Sequence, residues 1–210
     1  HEKKPIYHRK DFLEMIVKAL AMKCRWQIQK FRPFAENVIC FLDEPVLTGY
    51  GTSAYVSLMK EDIVSLLSEA AEAVHSDGAF AGVHCCGNTE WSMLVEAGVD
   101  IISFSAFEFG ETLAIYPEAM NALFSRGGMI AWGIVPTSDE IRNYEVSQLA
   151  DMLEGFIDRL AGAGVDKQVI AEQSIITPSC GTGSMSPEDA DRVFKVNYEV
   201  SQLMRGRYFG

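Results

Sequence analysis

The sequence predicts an α/β fold with parallel strands, built as the C-terminal portion of a (β/α) barrel over residues 1–210. Three observations carry this prediction. Five runs of strand length are apolar throughout, as strands buried on both faces of a parallel sheet are. Amphipathic stretches alternate with them at spacings of roughly 20 to 40 residues, the rhythm of strand–helix units joined by right-handed crossovers. Polar clusters fall each time just past the C-terminal end of an apolar run, where barrels and open α/β sheets place their sites. A full eight-unit barrel takes about 250 residues, and five units are visible here. The other strands would lie upstream in a parent chain, come from a partner, or be lacking because the sheet stays open.

Taken in order, residues 11–31 place Phe12, Ile16, Val17, Leu20, Ala21 and Cys24 at three- and four-residue spacing, the stripe of an amphipathic helix that Pro33 and Asn37 close. Residues 38–42 form the first strand and stop at Asp43-Glu44-Pro45. A loop rich in Gly, Ser, Thr and Tyr covers 48–57. Residues 60–75 carry Ile63, Leu66, Leu67, Ala70 and Val74 on one stripe, ending at Asp77-Gly78. The second strand is 79–84. Residues 89–97 read as a short helix with Thr89 as N-cap and Gly98 as its stop. The third strand is 99–104; Pro117 opens a helix that Arg126-Gly127-Gly128 ends, and 129–132 is the fourth strand. A helix over 145–160 buries Leu149, Leu153, Phe156 and Ile157, among others. Residues 168–176 supply the fifth strand. The last helix has Ser186 as cap, Pro187 at its first position and Asp189 near its positive end.

Composition narrows the function. A net charge of -11 and a pI near 4.8 would repel a polyphosphate backbone, which argues against nucleic acid and for small-molecule partners. No apolar run approaches the twenty or so residues of a membrane span, and the start His1-Glu2-Lys3-Lys4-Pro5 has no signal region behind its charges. A cytoplasmic protein without a membrane partner is expected. Five cysteines, an odd number without framework spacing, suit a reducing compartment in which thiols are ligands or core residues. Cys24 and Cys40 read as packing, and Trp91 and Trp132 as core or pocket wall.

The chemistry concentrates in Gly82-Val83-His84-Cys85-Cys86-Gly87-Asn88, an apolar run that ends in a histidine, two thiols and a glycine. Side chains alternate along a strand, so His84 and Cys86 share a side while Cys85 takes the other. Cys180, in Thr177-Pro178-Ser179-Cys180-Gly181, sits where another apolar run breaks into a glycine-rich loop. One imidazole and two thiolates with a fourth place open describe a catalytic zinc better than a structural one. The plain alternative is a satisfied core histidine and cysteines that act as small buried hydrophobes. Asp43 and Glu44 end the neighbouring strand, where a carboxylate would bind a substrate ammonium or serve as a rim charge. Asn88 is a substrate contact or a turn residue.

These motifs resemble the superfamily of cobalamin-independent methionine synthase and uroporphyrinogen decarboxylase, zinc methyltransferases and their relatives on a TIM (β/α)8 barrel. Phe41-Leu42-Asp43-Glu44-Pro45 is similar to the synthase strand whose aspartate contacts the amino group of the acceptor. His84-Cys85-Cys86-Gly87-Asn88 is similar to the family's His-x-Cys zinc motif, and Pro178-Ser179-Cys180-Gly181 to its last cysteine ligand. The resemblance implies a zinc-dependent methyltransferase that moves a methyl group from a methylcorrinoid protein or a methylated folate to a thiol. Ser105 stands where the synthase has a zinc-binding glutamate, as a substrate contact, and Glu108 three residues on is the candidate fourth ligand. No histidine acid follows Gly133-Ile134-Val135-Pro136-Thr137-Ser138, so methyl transfer to a thiol is expected rather than methionine synthesis as such. The alternatives are a non-catalytic small-molecule-binding barrel relative and a uroporphyrinogen decarboxylase-type enzyme. A barrel short of strands also implies a homo-oligomer or assembly with the missing N-terminal half.

Overall fold

Four crossovers of one kind organise the chain, a computed structural model of which describes residues 9–56 and 58–210. The charged start 1–5 and Ser57 lie outside the described residues. The strands β1 (Ile39–Asp43), β2 (Phe80–Cys85), β3 (Ile101–Phe104), β4 (Met129–Val135) and β5 (Ser174–Pro178) form one sheet in the order β1-β2-β3-β4-β5, each pair parallel. The sheet is open, with β1 and β5 at its edges. Around it run α1 (Lys10–Phe31), α2 (Lys60–Ser76), α3 (Ser92–Glu96), α4 (Ala106–Phe109), α5 (Pro117–Ser125), α6 (Val146–Gly162), α7 (Lys167–Glu172) and α8 (Pro187–Phe209).

Strands added always on the same side, with crossovers of one hand, put their helices on one face of the sheet. The side chains follow that rule. Val83, Cys85, Ile102, Phe104, Ile130, Trp132 and Ile134 join the main helix-packed core, and Cys40 and Ala81 join a second cluster with Cys24 and Ile28 of α1 and Val74 of α2. Phe104 is the keystone of the main core, with its ring centroid 5.0 Å from that of Trp91 and 5.7 Å from that of Trp132. Both tryptophans are fully buried, as packing residues. The alternate positions Ile39, Phe41, Phe80, His84, Ile101, Ser103 and Ala131 lie outside both clusters, on the opposite face. All five cysteines are free thiols, and burial beside Cys24 pushes the Cys40 thiol up to about 12.

Three elements differ from the sequence expectation, each for a local reason. The fifth strand begins at Ser174, because 167–172 fold as α7: the Asp166 carboxylate accepts the amides of Gln168 and Val169 at 2.8 and 3.1 Å, an N-cap that starts a helix. Thr89 does not cap a helix; its hydroxyl donates to the carbonyl of Leu47 at 2.9 Å, and α3 starts only at Ser92. Helix α1 buries Val17, Cys24 and Ile28 and leaves Phe12, Ile16 and Leu20 exposed, so the stripe facing the sheet is narrower and lies further along the helix. The cap of α8 is as expected, with the Ser186 hydroxyl accepting the amide of Asp189 at 3.1 Å. No described helix is long and apolar enough to cross a membrane.

Candidate functional site

Parallel register places Asp43 of β1 beside His84 of β2, and His84 beside Ser103 of β3. All three sit near the C-terminal ends of their strands, on the face turned away from the helices. The imidazole is fixed by one bond: its Nδ1 is 2.9 Å from the Ser103 hydroxyl oxygen. Its Nε2 is buried and has no hydrogen-bond partner among the described residues. Buried polar atoms are nearly always paired, so this nitrogen is open to a partner from outside the chain, a water or a ligand. Burial pushes the imidazole below its usual titration range, more than the nearby Asp43 carboxylate lifts it. At neutral pH the ring is therefore uncharged, the form that coordinates metals.

The loop after β2 is pinned to the end of β1. The Glu44 amide donates to the His84 carbonyl at 2.8 Å, and Thr89 reaches the 3₁₀ turn Pro45–Gly49 through Leu47. Gly87 makes the approach possible, since a Cβ there would stand 2.4 Å from the Thr48 methyl. Cys85 is fully buried in the helix-side core, and its thiol is raised by that burial. Cys86 is half-buried and lies just past the end of β2, in the bend that follows, where strand alternation no longer sets its direction. Asn88 is exposed on the bend that follows.

Adjacent residues diverge at the end of β1 as well. Asp43 is the exposed neighbour of His84, but Glu44 lines an apolar cavity of about 220 Å³ formed with Leu13 and Ile16 of α1 and Ile63 and Leu67 of α2. Burial, and then the Asp43 charge, raise the Glu44 carboxyl. The carboxylate pair read together from the sequence is thus divided between two surroundings.

The second row of the open face, two residues further along, is set by Gly133 and Thr177, with Cys86 and Ser105 following just past the ends of β2 and β3. Ser105 is buried at the start of α4, and Glu108 is exposed on that short helix. Gly133 pairs with Thr177, whose hydroxyl oxygen is buried without a partner. A Cβ on Gly133 would meet the Phe104 carbonyl at 2.4 Å and the Ser179 Cα at 2.8 Å, so only glycine lets β5 close against β4 there. Ser179 is held by its amide to the Val135 carbonyl at 2.8 Å and by its hydroxyl to Thr137. Cys180 follows, exposed.

Cys180 leaves from β5 and His84 from β2, three strand spacings apart, about 14 Å along a flat sheet. Among the described residues no three His, Cys, Asp or Glu side chains stand together as an ion-holding group. The residues that sequence reasoning passed over are Ser103 and Thr177. Both interrupt apolar runs with a hydroxyl at positions of inward parity, which is the signal that would have found them. No protein-family model matches the chain, and no curated protein matches it at a significant level. The functional reading accordingly rests on the site itself.

Proposed function

We propose that the chain is the C-terminal part of a (β/α)8 barrel of the methionine synthase and uroporphyrinogen decarboxylase superfamily, and that it serves a zinc-dependent methyl transfer to a thiol. The observation that carries this reading is His84: a neutral imidazole, fixed through Nδ1 by Ser103, with a buried Nε2 that has no hydrogen-bond partner among the described residues. The uninterrupted strand order supports the barrel. A doubly wound sheet reverses its order and covers both faces with helices, whereas a barrel adds strands in sequence and keeps one face for its interior. Apolar Ile39 and Phe41, exposed on edge strand β1, fit an element still to be covered by an upstream segment or a partner.

In this reading His84, Cys86 and Cys180 would hold Zn²⁺, with Glu108 or the substrate in the fourth position, which requires the Cys180 loop to close the roughly 14 Å that separates β5 from β2 along the sheet. Zinc bound there supplies an acceptor thiol in its thiolate form at neutral pH. The chain's own residues do the rest. Ser103 holds the imidazole so that Nε2 presents its lone pair. Asp43, exposed beside His84, offers a carboxylate to an ammonium group on the acceptor and orients it. Ser105 and Thr177 offer hydroxyls along the second row. The methyl donor, a methylcorrinoid protein or a methylated folate, approaches from the open face.

The test is incubation with methylcobalamin and small thiols, with the thioether product followed by mass spectrometry. Product that requires Cys180, and disappears in Cys180→Ser, supports methyl transfer at this site. Thioether formation unaffected by Cys180→Ser contradicts the Cys180 ligand and puts the reaction at another site.

A further inference from the structure

Helix α1 has two apolar stripes, and the fold uses one. Val17, Cys24 and Ile28 face the sheet and α2. Trp26 lies nine residues from Val17, about two and a half turns, and so points directly away from the core. With it run Phe12, Met15, Ala19 and Met22, at alternating spacings of three and four residues, the a and d positions of a heptad seam. Met15, Met22 and Trp26 are 66%, 71% and 58% exposed. Isolated exposed apolar residues need no explanation, but five in one register over four turns do.

Charge says what would cover the seam. From Met15 to the end of α1 the helix carries Lys18, Lys23, Arg25 and Lys30 and no acid, in a chain whose net charge is -11. In the heptad frame set by Phe12, Lys18 and Arg25 take g positions, and Lys23 and Lys30 take e positions. A second copy of α1 would place cation against cation in either orientation, parallel or antiparallel. Ile16 and Leu20, 39% and 41% exposed, flank the seam on the side of the cavity shared with α2, and the chain's net charge of -11 disfavours an anionic membrane surface as the cover. Lys18 pairs with Glu14 and Arg25 with Asp77, whereas Lys23 and Lys30 make no ion pair among the described residues; the Lys30 ammonium lies 5.9 Å over the Trp26 ring, at the edge of the seam itself.

We propose that the outer face of α1 docks an acidic amphipathic helix of a partner protein, with leucine-like residues seated on Met15, Met22 and Trp26 and carboxylates on the flanking cations. The molecule carries its own reporter. Trp91 and Trp132 are fully buried, so quenching by acrylamide reads Trp26. The probe is a four-heptad peptide with Leu at a and d and Glu at e and g, whose glutamates keep it from pairing with itself; a Lys-for-Glu version is the control. The acidic peptide should protect Trp26 and the basic one should not. Binding should weaken several-fold with added salt. Met22→Asp, on a solvent-facing position, should abolish protection without loss of fold, and the Lys23→Glu, Lys30→Glu pair should transfer preference to the basic peptide. The proposal is overturned if the acidic peptide gives no protection, if Trp26 is protected by self-association seen in sedimentation, or if only anionic phospholipid vesicles protect it.

Discussion

Substituting Ser103→Ala isolates the one bond that orients His84. The Ser103 hydroxyl and His84 Nδ1 are 2.9 Å apart, the serine is buried and the ring half-buried. A neutral hydrogen bond of this kind contributes about 1 kcal/mol, and an orphaned buried nitrogen costs about 1–3 kcal/mol. Partial access of water to the ring favours the lower end, so the metal-free variant should lose about 1–2 kcal/mol in urea unfolding. The effect on metal is larger in kind. Without Ser103 neither the tautomer nor the ring angle is set, and loss of such a supporting bond typically lowers metal affinity about 10- to 100-fold. Competition with a chromophoric zinc chelator measures this, and Ser103→Thr, which keeps the hydroxyl, should retain most of the affinity. A Ser103→Ala protein with wild-type zinc affinity and wild-type stability would refute the assigned role.

Two further predictions test the surroundings of the site. Gly133→Ala would press a methyl against the backbone of Phe104 and Ser179, which cannot give way as a side chain tip can; a loss of about 1–3 kcal/mol in urea unfolding is expected, together with weakened zinc binding through the displaced Cys180 loop. An unchanged stability would show that β4 and β5 are less tightly joined than described. Glu44 holds its proton more tightly folded than unfolded, so its contribution falls as pH rises from 4.5 through the raised folded value, leaving a costly buried carboxylate at neutral pH. Glu44→Gln should therefore raise the melting temperature at pH 7 and change it little at pH 4; a drop at pH 7 would mean the carboxylate has a stabilising partner.

The architecture was legible because periodicity reports burial. Apolar runs marked β1 to β4, and the placing of Asp43 and His84 near strand ends followed from where those runs stop. Competing local chemistry defeated the rest. Gln168-Val169-Ile170-Ala171 is apolar enough for a strand, but Asp166 caps it into α7. Periodicity predicts one stripe on α1 from Phe12 to Cys24, but only Val17 and Cys24 of it are buried, together with Ile28, because contact with the sheet and α2 falls on the later turns. The bond from Ser103 to His84 depends on the register between β2 and β3, a long-range fact that neither run contains. Likewise Asp43 and Glu44 are neighbours in sequence but part company in space, Glu44 turning toward α1 and α2.

The most direct test of the central claim is zinc content, by elemental analysis of protein purified without added metal, for wild type and Cys86→Ser side by side. About one zinc per wild-type chain, lost in the variant, is the predicted result. A wild-type protein that neither retains zinc nor takes it up when supplied, or a Cys86→Ser variant that holds as much as wild type, would contradict the His84, Cys86 and Cys180 site.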